Sequence, residues 1–248
     1  MILQTDEKLL LARFNDLEQG TEFGGYPHFS RFLDPAECAL FKERVHPRVP
    51  YLLWGGYEDA ERKMLGFFPD YMEPDPSLFP IASLRLTAPE KLEHRTVLGS
   101  LMGLGIERNL LGDVAMEEKN SVIFTCDSIK DYVCLNLIRA GRLPVTLTEV
   151  PFDELAILPR AWEPVCGTVA SLRLDCVVGL LTGASRSSAD EMLRRELVSV
   201  NHTVCTKGSV ILSQGDVLSI RKFGRAELAE ILGETKKGRT RIVLKKYI

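Results

Sequence analysis

Residues 183–197, GASRSSADEMLRREL, set three serines (Ser185, Ser187, Ser188) and three arginines (Arg186, Arg194, Arg195) around one short apolar stripe. A helix start carries unpaired N–H groups and about half a positive charge, which suits a phosphate oxygen. Serine hydroxyls there either cap the helix or donate to phosphate, and a guanidinium grips phosphate in two places. The chemistry this stretch offers is capture of a polyanion, not bond-making. The bond-making signatures GxxxxGK[ST], GxSxG and HExxH do not occur, and His28, His46, His94 and His202 stand singly. Gly103-Leu104-Gly105 follows a helix-like run, so it reads as a helix end and not as a dinucleotide loop. The six cysteines show no CxxC spacing and read as buried reduced thiols, with neither metal nor cofactor expected.

Those cations stand in a chain of net charge −3, but the charge is unevenly spread. From Val165 to Ile248 there are 14 Lys/Arg against 8 Asp/Glu, and before that 17 against 26, so the two parts carry +6 and −9. Such asymmetry suits a basic end that meets a polyanion while the rest keeps the protein in solution. A composition of 45% hydrophobic and 26% charged residues is that of a folded globular chain. No run approaches the roughly 18 apolar residues of a membrane span. The opening MILQTDEKLL has an acidic pair where a secretory signal would be basic, so a cytoplasmic protein is expected.

The elements that must position the cluster follow from local patterns. Asp6 to Glu18 reads as a helix with Leu9, Leu10, Phe14 and Leu17 inward and Gly20 just past its end. FLDPAECALFKERVH marks a second helix, with Asp34 as cap, Pro35 in the first turn and Glu37 completing a capping box. PYLLWGGYEDAERKMLGFF reads as a hairpin, and YMEPDPSLFP as a linker. From residue 76 to 160 the succession IASLRLT, HRTVLGSLMGLGI, GDVAMEE, SVIFTC, DSIKDYVCLNLIRAG and LPVTLTEVP gives β-α-β-β-α-β, with the β-turn at Lys119-Asn120. That is the plan of a ferredoxin-like or RRM-like sandwich. An RNA-binding RRM stacks bases on strand aromatics. Here the third strand offers only Phe124, which reads as core. DELAILPRAWEPVCG reads as a connector. Beyond it come two helices, SLRLDCVVGLL broken by Gly183 and then the serine–arginine helix with Ala189, Met192, Leu193 and Leu197 inward. The strand-like pieces LVSVN, SVILS, DVLSIRKFG, AELAEILGE and RTRIVLKKYI would complete a small curved sheet under them.

The order SLRLDCVVGLLTGASRSSADEMLRRELVSVN followed by GDVLSIRKFGR resembles the S4 RNA-binding domain. With GGYEDAERK, HRTVLGSLMGLGIERN, DYVCLNLIRAG and the tail GETKKGRTRI, the stretch from about Trp54 to Ile248 resembles the YlmH-type S4-domain proteins of bacteria and plastids. The resemblance implies an α+β protein: an N-terminal α/β region at 1–75, an RRM-like domain at 76–160 and an S4 domain at 165–248. It further implies a ribosome-associated RNA-binding role in rescue of stalled large subunits carrying peptidyl-tRNA, with a link to cell division in some bacteria. In the S4 pattern the Arg-Leu-Asp opening falls on Arg173, Leu174 and Asp175, the Ser-Arg-Ser on Ser185, Arg186 and Ser187, the Val-x-Val-Asn on Val198–Asn201, and the Gly-Arg on Gly224 and Arg225. Three positions depart from it: Ser188 where lysine is common, Cys134 where arginine is common and Glu196 where glycine is frequent.

The candidate RNA-binding surface is therefore Arg173, Ser185, Arg186, Ser187, Arg194, Arg195, Asn201, Lys222, Arg225, Lys236, Lys237 and Arg239. Arg194 and Arg195, two turns past Arg186, would share its outer stripe. Such a surface reads the shape and phosphates of structured RNA, here rRNA or tRNA, with no DNA specificity. Standing alone, the helix would be a cap with solvated charge; the +6 and the resemblance favour RNA. Arg62, Lys63, His94, Arg95 and Arg108 are candidate secondary RNA contacts, with salt bridging to Glu58, Asp59 and Glu61 the alternative for the first two. Two rivals remain. S4 domains also accompany pseudouridine synthases and RNA methyltransferases, and Arg173-Leu174-Asp175 superficially matches a synthase motif; the other rival is a scaffold in cell division.

Overall fold

The computed structural model describes residues 5–118, 120–157, 162–235 and 238–247. It divides into two units, Met1–Leu158 and Pro159–Ile248, each with its own apolar core.

In the first unit α1 spans Thr5–Gly24 and runs past Gly20. The covered stripe that holds it continues beyond Leu17 to Thr21, which is fully buried and donates through Oγ1 to the Leu17 carbonyl at 3.1 Å. Leu9, expected inward, is 55% exposed. After β1 (His28–Phe29), α2 (Pro35–Arg44) starts on the expected capping box: Asp34 Oδ1 accepts from the Glu37 N–H at 2.9 Å and Glu37 Oε2 from the Asp34 N–H at 2.7 Å. The hairpin is β2 (Tyr51–Trp54) against β3 (Met64–Phe67), and β1 pairs with the other edge of β3.

The next elements are β4 (Ile81–Thr87), α3 (His94–Gly103), β5 (Leu111–Met116), β6 (Ser121–Cys126), α4 (Lys130–Asn136), the two-residue strands β7 (Arg139–Ala140) and β8 (Leu143–Pro144), and β9 (Thr146–Glu149). The helix expected to run to Gly141 stops at Asn136. Leu137 leaves helical backbone, and its successors fold into the β7–β8 hairpin that turns at Gly141, φ +60°. The fold gains Ala140 as a core residue. The four-stranded sheet has the order β5-β6-β4-β9, every neighbour antiparallel. Alternation sends Leu84, Leu86 and Ile123 to the side of α3 and α4, where Val97, Leu101 and Val133 meet them. Val122, Phe124 and Ala115 point the other way, into a second cluster with Phe32, Met64, Phe68 and Phe79 from outside the sheet.

In the second unit, β10 (Trp162–Val169) stands where a connector was expected, paired along its whole length with β15 (Thr240–Tyr247). Pro164 is tolerated within it because β10 is an edge strand. Then follow α5 (Leu174–Thr182), α6 (Arg186–Arg194), β11 (Val198–Val200), β12 (Thr203–Val204), β13 (Val217–Ile220) and β14 (Gly224–Glu234). The sheet order is β10-β15-β14-β13-β11-β12, with register shifts along β14. SVILS (209–213) is not a strand. Its backbone closes the start of α5 instead, the Val210 carbonyl accepting from the Leu174 N–H and the Leu212 N–H donating to the Leu172 carbonyl, each at 2.8 Å. The fully buried Ala189 and Leu193 carry the inward face of α6 onto Val177, Val178 and Leu218, with Met192 packed at the edge. Each buried leucine there contributes about 2 kcal/mol of burial free energy. The chain is thus α+β, a mixture of helices and antiparallel sheets.

Candidate nucleic-acid interface

Asp175 organises the start of α6, although it lies in α5. It sits in the first turn of α5, 1% exposed, with its N–H donating to the Gly208 carbonyl at 3.2 Å. Gly208 is required there: a Cβ would stand 2.8 Å from Asp190 Oδ1 and 2.9 Å from Asp175 Cβ. Arg173 donates to Asp175 through Nε at 3.1 Å and Nη2 at 2.8 Å, and Arg186 donates through Nε and Nη2, both at 3.1 Å. The hydrogen bonds from Arg173, reinforced by those from Arg186, hold the Asp175 carboxyl far below the usual carboxylate range against the opposing effect of burial. Two guanidiniums thus share one carboxylate, with the Asp190 carboxylate acting on Arg173 from the other side of Gly208. Arg173 and Arg186 keep 34% and 65% of their side chains exposed, so unused donors still reach solvent.

The serines gather beside this pair. Ser185 is the cap of α6, its Oγ accepting from the Ser188 N–H at 3.2 Å and lying 3.0 Å from Ser187 Oγ and 2.9 Å from Ser188 Oγ. All three are exposed. Gly183, at φ +67°, makes the left-handed break between the two helices that brings Arg186 back over Asp175.

At the other end of α6, about 12 Å away at 1.5 Å per residue, stand Arg194 and Arg195, both exposed. Nine residues separate Arg186 from Arg195, half a turn out of phase at 100° each, so these two do not share a stripe. Arg195 pairs with Glu191 at 3.4 Å. Beyond them opens a groove of about 470 Å³ lined by Glu196, Ser199, Ser219, Arg221, Lys222 and Arg225, among others. Ser199, Ser219 and Arg225 sit opposite one another across β11, β13 and β14, and Arg225 Nε donates to Ser219 Oγ at 3.3 Å. Lys222 is exposed at φ +74° in the turn before β14.

The remaining candidates divide. Asn201 is committed to the fold: Nδ2 donates to Asp216 Oδ1 at 2.8 Å and Oδ1 accepts from the Val217 N–H at 2.9 Å. Arg239 is exposed and donates to the Thr168 carbonyl at 2.7 Å. Lys236 and Lys237 lie outside the described residues. In the first unit, Arg62 donates to the carbonyls of Leu111, Phe32 and Arg108 (3.0, 3.1 and 3.4 Å), not to the neighbouring acids. Arg108 donates to those of Leu111 and Gly112 (2.7 and 3.1 Å), its pKa lowered by burial and by the charge of Arg62. Lys63 bridges Leu33 through its backbone. His94 and Arg95 open α3, exposed, with Arg95 on Glu93 at 2.6 Å. Two contributors escape sequence reasoning. Arg221 differs from Lys222 only by one position in a turn, and Asp175 meets Arg186 only through the α5–α6 geometry.

Among the described residues no group of His, Cys, Asp or Glu is placed to hold a metal ion, and no helix is long and apolar enough to cross a membrane. The chain is similar to known proteins at three levels: a domain family, a whole protein and a solved structure. The family described as "Putative RNA-binding domain in YlmH" matches residues 74–154. The ribosome-associated protein quality control protein P2 of Bacillus subtilis is 34% identical over 219 residues, 87% of this chain and 85% of that protein. The solved structure named cell division protein ylmH from Streptococcus pneumoniae is similar with a TM-score of 0.52 and 25% identity, over 62% of this chain and 96% of that one. Identity of that extent with the Bacillus protein, together with the domain match, shows that the chain belongs to the YlmH family.

Proposed function

We propose that this protein is a non-catalytic RNA-binding factor that acts on the large ribosomal subunit in rescue of stalled ribosomes, gripping rRNA and tRNA through an S4 domain at residues 165–248. The observation that carries the reading is the pair of guanidiniums, Arg173 and Arg186, held side by side on the buried Asp175 beside three exposed hydroxyls. Pinned arginines lose little entropy when they meet phosphate. With Arg194, Arg195 and the Lys222–Arg225 groove they put cations at both ends of α6. The quality-control name of the Bacillus relative supports the ribosomal setting. The strand order β5-β6-β4-β9, with both helices on one face, supports an RRM-like domain at 76–160 following an α/β region at 1–75.

Asp175 also bears on the enzymatic rival. Its carboxylate is covered and engaged by two arginines, which leaves no approach for a uridine ring. A second reading, a scaffold in cell division, is favoured by the name of the pneumococcal structure alone. The test is ultraviolet crosslinking of the full-length protein to purified large subunits, with the crosslinked peptides mapped. Peptides within 173–195 and 221–225 are expected to carry rRNA or tRNA nucleotides. Crosslinks confined to other segments contradict the reading, as does a modified nucleoside appearing after incubation with rRNA.

A further inference from the structure

An RRM-like sheet ordinarily offers its open face to bases. Here that face is closed. Phe124, on a central strand, is fully buried, with Tyr57 stacked at 5.1 Å on its ring and Phe152 nearly parallel at 6.4 Å. A Cβ on Gly56 would come within 2.4 Å of the same ring, so the chain lies flush on it. Beside it Arg85 is held by the buried Glu117 at 2.6 and 2.7 Å, and Glu117 also accepts from the Ala156 N–H. The opposite face carries α3 and α4. Phe124, the one aromatic of the four strands, thus has no ring face left for a base, yet residues 74–154 are what the RNA-binding family description matches.

The cations of that stretch point to where contact occurs. Arg85 and Arg108 are used internally, and Lys130 is clamped by Asp127 and Glu149 at 3.0 and 2.9 Å. The exposed arginines that remain among the described residues are Arg95, Arg142 and Arg139, the last lending one Nη2 donor to the Arg142 carbonyl, with Lys91 just before α3. The fold brings them together. The turn of the β7–β8 hairpin docks on α3, the Gly141 N–H donating to Ser100 Oγ at 3.2 Å with Gly141 packed on Thr96. Arg95 precedes Thr96 in the helix on which the hairpin carrying Arg139 and Arg142 is docked. Its pairing with Glu93 is between side chains 84% and 65% exposed, a weak tie that a phosphate readily replaces.

We infer that this domain meets RNA with its helical layer: Arg95, Arg139 and Arg142 form a second contact for the sugar–phosphate backbone of folded RNA, read without base stacking. The inference rests on the RNA-binding reading above and assigns it a second point of attachment, in the first unit. The neighbouring Leu135 and Ile138, 76% and 66% exposed, would suit a protein instead, and the test separates the two.

The experiment measures the salt dependence of affinity of the full-length protein for purified, protein-free 23S rRNA and, in parallel, for intact large subunits. The Arg139→Glu/Arg142→Glu variant and the milder Arg139→Gln/Arg142→Gln pair are expected to weaken rRNA binding. Each should flatten the log–log salt slope by about 2, one unit per lost phosphate contact, with circular dichroism melts unchanged. An unchanged slope, while Arg194→Glu/Lys222→Glu loses binding, overturns the inference and leaves the second-unit reading standing. Weakened binding to intact subunits but not to purified rRNA places a ribosomal protein on this face and also overturns it. Failure of the wild-type chain to bind either target overturns both.

Discussion

Replacing Asp175 by asparagine separates two accounts of the arginine pair. If the pair contributed only net charge, Asp175→Asn would add one positive charge and tighten RNA binding. The geometry predicts the reverse. An asparagine cannot replace a carboxylate that takes four guanidinium hydrogen bonds at 2.8–3.1 Å. Hydrogen bonds to a charged group are worth about 1.5–3 kcal/mol each, but Arg173 and Arg186 are 34% and 65% exposed and rehydrate when released. The net loss is about 2 kcal/mol, confined to the second unit. The assay is urea unfolding in a Trp54→Phe background, in which Trp162 of β10 is the remaining tryptophan and reports the second unit. The sign with pH is fixed. Because the folded carboxyl is held below its unfolded value of about 4, the stabilisation is complete above that pH and is lost as pH falls through the folded value. The gap between wild type and variant should therefore narrow in acid. RNA affinity should fall despite the added charge, because two loosened side chains must be re-ordered on binding. Stability within about 0.5 kcal/mol of wild type, or tighter RNA binding, would refute the reasoning.

Gly208→Ala forces a Cβ between Asp175 and Asp190 and should destabilise the second unit by about 1–3 kcal/mol, seen in the same unfolding assay. Glu117→Gln leaves Arg85 without its buried partner, and a loss of about 3 kcal/mol is expected in urea unfolding of the first unit followed through Trp54. The Glu117 carboxyl is lowered chiefly by the Arg85 hydrogen bonds, so its contribution too is present above pH about 4 and lost in acid. Asn201→Ala should lower stability by about 1 kcal/mol while leaving the salt slope of RNA binding unchanged, since its amide is spent on Asp216 and Val217.

What the sequence made legible was local chemistry. The capping box at Asp34, a serine cap on α6, the Gly183 break and the inward Ala189 and Leu193 all follow from residues within a turn of one another, while the choice of Ser185 over Ser187 as that cap came with the structure. Elements decided by distant partners were not legible. β10 becomes a strand because Trp162 finds Tyr247, and Val210 serves the α5 start because Leu174 needs an acceptor. The candidate site divides along the same line. Its serines and arginines could be named from their spacing, whereas the meeting of Arg173 and Arg186 on Asp175 depends on how two helices pack. The commitment of Asn201 to a turn likewise appears only with Asp216 in place. A fragment beginning at residue 165, which the sequence alone would suggest, removes the first three residues of β10 and their pairing with β15.

The most direct test is the salt titration of full-length protein on purified rRNA, comparing wild type with Arg186→Ala/Arg194→Glu/Arg225→Gln. Engagement of about five phosphates predicts a wild-type log–log slope of roughly −4, and a variant slope flatter by about 2.4. A wild-type slope near zero, or a variant that binds as the wild type does, would contradict the account.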